Sequence, residues 1–171
     1  VIARWCVKLF PDNSPASATQ AAPRHLDEAA LPTPALAIAN AAREALRIGD
    51  LIEQMLNGML EVLRTNNQAV VAEVRLLDDD VDQLYSAVKF YLTQISREAL
   101  DDRDGRRWAE IISLTINLEQ VGDIIERIVE DVQEKKISLN RSFSEAGTAE
   151  LCDLHARLVS NLKLGLNVFI N

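Results

Sequence analysis

Four carboxylates fall in two pairs, each pair four residues apart: Asp78 and Asp82 in "LLDDDVDQL", and Glu119 and Asp123 in "LEQVGDIIERI". On a helix, residues four apart stand on adjacent turns, with Cβ atoms roughly 6 Å apart. Two such pairs on neighbouring helices can surround a cation with oxygen ligands. An all-oxygen shell suits hard ions best, although iron and zinc also accept carboxylates. The plainer reading is that both pairs belong to solvated outer faces of amphipathic helices. Spacing alone leaves both readings open.

Other chemistries find less support. The two histidines, His25 and His155, each lack a glutamate three residues before them, so the Glu-x-x-His signature of a buried di-iron centre is missing. Cys152 and His155 in "CDLHARL" supply only two of the four ligands of a structural zinc site, and read as a small packing residue and a boundary residue. The six glycines are scattered rather than gathered into a phosphate-cradling loop. No serine or cysteine has a base and an orienting partner nearby in the chain. The expectation is a protein that is not an enzyme.

The elements that must position the carboxylates follow from composition and periodicity. Of 171 residues 48% are hydrophobic and only 5% aromatic, which favours aliphatic helices packed on helices. A net charge of −8 argues against nucleic acid, which requires a basic footprint. All five prolines lie from Pro11 to Pro34, so residues 1–33 read as a juxtamembrane segment and Pro/Ala-rich linker, and 34–171 as the helical domain. Cys6 and Cys152 do not form a disulfide framework, which leans toward a reducing cytoplasm. No apolar run approaches the roughly 20 residues of a membrane span. "VIARWCVKLF", Val1 to Phe10, can place Ile2, Trp5, Leu9 and Phe10 on one face flanked by Arg4 and Lys8. It suits a bilayer surface or a contact with a neighbouring chain equally.

Four helices are expected. The first runs over 34–65, with Thr33 as N-cap, Pro34 at the first position, and Asn66 and Asn67 ending or kinking it. The second runs over 68–98 on a stripe from Val70 to Ile95. The third follows "LDDRDG", anchored by Trp108 with Arg106 and Arg107 free to cap or salt-bridge, on the stripe Leu114, Leu118, Val121, Ile125, Ile128 and Val132. The fourth follows "SLNRSFSEAG", where Ser142 and Glu145 have capping-box spacing, and carries Leu151, Leu154, Leu158, Leu162 and Phe169. On these stripes none of the four carboxylates points into the core. The last helix meets no stop signal in "LGLNVFIN", as expected of a piece of a longer chain. "GDLIEQML" at Gly49 is echoed by "GDIIERIV" at Gly122.

With "VRLLDDDVDQLYSAV" and "LEQVGDIIERI", the chain resembles the PhoU proteins, whose paired acidic motifs read Glu/Asp-x-x-x-Asp. The lead-in "APRHLDEAALPTPALAIANAAREALRIGDLIEQML" resembles the junction after the membrane domain of bacterial sodium/phosphate cotransporters, which carry a PhoU-like domain at the C-terminus. The likeness spans about residues 23–171, and "LEQVGD" departs from it in carrying Gln120 where the motif usually has Arg. The resemblance implies an all-α, PhoU-like fold: a three-helix bundle of long antiparallel helices, plus a fourth helix belonging to an incomplete second bundle. It implies iron, zinc or another divalent metal held by Asp78, Asp82, Glu119 and Asp123. It further implies a cytoplasmic regulatory or assembly domain of a sodium-dependent phosphate transporter, at the inner or plasma membrane. Its partner would be the transmembrane domain of the same polypeptide or a phosphate-signalling protein. A freestanding PhoU-like adaptor is the alternative, and a carboxylate-metal enzyme ranks last. The apolar face of the fourth helix adds an expectation of homo-oligomers.

Overall fold

A computed structural model describes residues 22–96 and 100–170; the expectations for Val1–Phe10 and Cys6 lie outside that range. Among the described residues there are four long helices and no strand: α1 Pro34–Thr65, α2 Gln68–Thr93, α3 Asp102–Val132 and α4 Glu145–Ile170. The fold is the expected all-α bundle. α1 is its axis, packing against both α2 and α3, which also pack on each other, while α4 lies mainly on α1.

The boundaries have local causes. Pro34 opens α1, where its missing N–H costs nothing; Thr33 caps through its backbone carbonyl, which accepts from Leu36 and Ala37 (3.0 and 3.1 Å), and its hydroxyl makes no capping bond. Asn66 ends α1 in the left-handed conformation (φ 59°), which asparagine tolerates, and Asn67 starts α2 by accepting from the Ala69 N–H at 3.0 Å. A two-residue turn makes α1 and α2 antiparallel neighbours. α2 stops five residues short of the expected 98. Its final carbonyls turn instead to Trp108, whose indole N–H donates to the Leu92 carbonyl at 3.0 Å. Trp108 thereby anchors the start of α3, as expected. Arg107 pairs with Glu110 at 3.1 Å and also donates to the Phe169 carbonyl at 2.7 Å, tying the start of α3 to the end of α4. At the α4 start Ser144, not Ser142, is the capping hydroxyl, accepting from the Gly147 N–H at 3.1 Å.

The core holds Ile48, Ile52 and Met55 of α1, Val81, Leu84 and Val88 of α2, and Ile111 of α3, each contributing roughly 1.5–3 kcal/mol by burial. The seam of α3 differs from the expected one. Its buried residues are Ile111, Thr115, Leu118, Gly122, Ile125 and Val129, while Val121 and Ile128 are exposed. A stripe drawn through apolar residues misses Thr115 and Gly122. Thr115 can be buried because its hydroxyl bonds the Ile111 and Ile112 carbonyls at 3.0 Å. Gly122 is there because a neighbouring helix comes close. The echo at Gly49 has the same basis: a Cβ there would meet Leu166 of α4 at 2.8 Å.

On α4 the inward residues are Val159, Leu162, Leu166 and Phe169, whereas Leu154 and Leu158, taken from the sequence as its stripe, are exposed. No residue of α4 is fully buried. At the other end, residues 22–33 are held on the bundle. Glu44 of α1, with no exposed surface, accepts the backbone N–H groups of Arg24 (2.9 Å) and His25 (2.7 Å) and pairs with Arg47. Tyr91 donates its hydroxyl to the Asp27 carbonyl at 2.7 Å. Composition alone places this stretch in a linker; hydrogen bonds place it against α1 and α2.

Candidate metal centre

α2 carries Asp78 and Asp82 on successive turns, and α3 carries Glu119 and Asp123 on the face turned toward them. The helices can approach closely at this level because Gly122 has no side chain. A Cβ there would stand 3.0 Å from Asp78 Oδ1 and 3.3 Å from Ile52 Cδ1. Carboxylate oxygens of Asp82, Glu119 and Asp123 all lie within 4.8 Å of one another. Asp82 is exposed and Glu119 half-buried.

Asp78 lies outside that trio. The sequence stripes put it on the outer surface, but it is only 8% exposed and fills the slot that Gly122 leaves. The cause is the rotation of α3: with Gly122 rather than Val121 on the seam, a polar side chain of α2 is drawn inward.

Crowding and burial shape the charge state. Asp78 is pushed up to about 7, first by burial and then by the negative charges of Glu126, Asp82, Asp123 and Asp79. Asp82 is raised by burial and then by Asp123 and Asp79. Glu119 is raised by burial, Asp123 and Asp82, with Lys89 pulling the other way. Glu126 is raised by burial and Glu130, against the pull of Arg75. Arg75 is engaged at the far end, 3.4 Å from Glu130 and 3.1 Å from Gln133. Among the described residues no lysine or arginine forms an ion pair with Asp82, Glu119 or Asp123. Three convergent carboxylates without an ion-pair partner are a donor set that fits a divalent cation, with water completing its shell.

The other chemical candidates remain apart. His155 has its Nε2 buried with no hydrogen-bond partner among the described residues, and Cys152 is a free thiol, but no third ligand joins them. Glu126 and Asp79, which were not among the four expected ligands, shape the field without joining the trio. Their signal was the acidic density of "LLDDDVDQL" and "GDIIERIVED".

Removing the buried charge should help folding. A carboxyl whose folded pKa is raised contributes stability that is fully present below its unfolded value, 3.8, and is lost as pH rises through about 7. A shift of this size is about 4 kcal/mol between charge states at face value, and solvent at the rim of the cluster screens it to roughly 1–2 kcal/mol. Asp78→Asn is therefore expected to raise stability by about 1 kcal/mol at pH 7.5 and by less than half as much at pH 5. Urea denaturation of both proteins at the two pH values checks this.

The PhoU domain family model matches residues 37–132, more than half of the chain. The chain belongs to the PhoU family. This PhoU domain takes in α1, α2 and α3 together with all four carboxylates. The chain is 45% identical over 170 residues to "Putative inorganic phosphate export protein YjbB" of Escherichia coli (strain K12), covering 99% of this chain and 31% of that protein. The protein of the same name from Salmonella typhimurium is also 45% identical, over all of this chain and 31% of its own length. The PhoU chain thus spans about a third of the relatives it matches. No solved structure matches it.

Proposed function

We propose that the chain is a regulatory PhoU-type module in phosphate transport or its control, acting by docking on a partner protein and not by catalysis. The family match over residues 37–132, beside relatives named for phosphate export, carries this reading. As an adaptor in phosphate signalling, the module needs nothing further, and no described helix is long and apolar enough to cross a membrane. As a regulatory domain of a longer transporter at the cytoplasmic face, it would fit relatives of which it spans 31%. The printed names speak of export, not of the sodium-coupled uptake suggested by the lead-in. In either form, control requires unequal affinity for two states of the partner; equal affinity would shift nothing.

Within this reading Asp82, Glu119 and Asp123 hold a divalent cation such as iron or zinc, with Asp78 behind them. The cation would supply positive charge between α2 and α3, so its presence would set the stiffness and the charge of the docking face.

Cells producing the intact protein, or the protein without residues 34–170, test the reading. Phosphate efflux and uptake are measured alongside a phosphate-starvation reporter. Altered flux supports the transporter-domain form, and an altered reporter with constant flux supports the adaptor. If neither changes, the regulatory reading is wrong.

A further inference from the structure

This acidic chain has a basic corner at the end of α3. Beyond α3, Gln133–Ile137 form a π-helical turn, with the Ser138 N–H donating to the Gln133 carbonyl at 3.0 Å and Arg141 N–H to that of Lys136 at 2.9 Å. Asn140, left-handed at φ 49°, reverses the chain so that Arg141, Ser142 and Phe143 face the end of α3. With the Asn140 N–H donating to the Ile137 carbonyl at 2.9 Å, the Arg141 bond closes a left-handed C-cap at this helix end. An open pocket here has a volume of about 400 Å³, with carbon walls from Ile128, Val132 and Phe143.

Lys136 is the unusual residue. It stands seven positions after Val129, where the α3 seam calls for an apolar side chain, and is only 7% exposed. Its ammonium donates to Asn66 Oδ1, using one of its three N–H donors, and lies 5.2 Å from the Phe143 ring centroid. Among the described residues no carboxylate pairs with Lys136 or with Arg141. A dehydrated ammonium without a counter-charge is costly, and a neutral amide and a ring face offset only part of that. Asp131 at the rim is already tied to Lys135 at 2.7 Å, so it offers little opposition to an incoming anion.

We propose that this corner binds a phosphate group, either free inorganic phosphate or a phosphate carried by a small organic molecule or lipid headgroup. Lys136 supplies a point charge, Arg141 a planar fork that matches phosphate oxygens, and Ser142 a hydroxyl. Because Asn66 also donates to the Arg141 carbonyl at 3.1 Å, an occupied site would brace the α1–α2 turn against the α3–α4 connection. The inference stands on this pocket and does not depend on the regulatory reading.

An NMR titration of the 171-residue chain tests it. Inorganic phosphate, glycerol 3-phosphate and phosphatidic acid vesicles are the phosphate arms, with acetate and chloride as controls. The expected result is saturable shifts centred on residues 133–143 in at least one phosphate arm, weakened about ten-fold or more by Lys136→Met and by Arg141→Gln. A response to inorganic phosphate identifies the free anion, and a response to vesicles alone identifies a headgroup. Arg141 is exposed, so its substitution reads binding even if Lys136→Met unsettles the fold. No saturable binding in any phosphate arm, equal shifts with acetate, or affinity unmoved by Arg141→Gln would overturn the proposal.

Discussion

Replacing Glu44 with alanine is expected to cost about 3 kcal/mol and to release residues 22–33 from the bundle. The carboxylate is wholly buried and satisfies two backbone N–H groups and the Arg47 guanidinium. Truncation takes the shared acceptor from the Arg24 and His25 N–H groups and leaves Arg47 with the Ala22 carbonyl at 3.2 Å, which is worse than losing the bonds alone where the site is part-buried. Glu44→Gln keeps the shape and one acceptor oxygen, so about half that loss is expected. Urea denaturation gives the cost, and amide exchange at Arg24 and His25 reports detachment. A loss below about 1 kcal/mol with both amides still protected would show that Glu44 does not hold the segment.

Replacing Asp82 and Asp123 together with asparagine should act in opposite directions with and without metal. In chelator the double variant should be more stable than the parent by about 1 kcal/mol, because it removes charges that repel each other and burden Asp78. Its affinity for a divalent cation should fall at least roughly 100-fold, about 2.8 kcal/mol, since two of three carboxylate ligands are gone. Calorimetric titration with zinc and manganese, paired with denaturation in chelator, reads both effects. Equal affinity in parent and variant would remove the trio as a metal site.

Much of the bundle was legible because its signals are local. Proline at the head of α1, the Asn66–Asn67 corner and the regular apolar spacing of α2 each specify structure within a few residues. The seam of α3 was less legible. Hydrophobicity points to Val121 and Ile128, yet close approach of a neighbour selects Gly122, and a hydroxyl satisfied by its own helix permits Thr115. That rotation separates the four spaced carboxylates into an outer trio and a buried Asp78. Spacing four apart places residues on one face, but which face is turned inward depends on tertiary packing. Glu44 and Lys136 were missed for a related reason. Each is a charged residue at a buried position, and the groups that satisfy Glu44 lie about twenty residues upstream of it. A lysine standing on the heptad seam was the one local clue to the corner beyond α3.

The central claim is that α2 and α3 hold an acidic face under electrostatic strain which a divalent cation relieves. The direct measurement is folding stability from pH 5 to pH 8, once in chelator and once with saturating zinc or manganese. In chelator, stability should fall as pH rises, because Asp78 and its neighbours lose protons that the folded state prefers to keep. With cation the slope should reverse, since the metal competes with those protons and binds best when the carboxylates are charged. Parallel curves in the two conditions, with no gain at pH 8, would contradict the account.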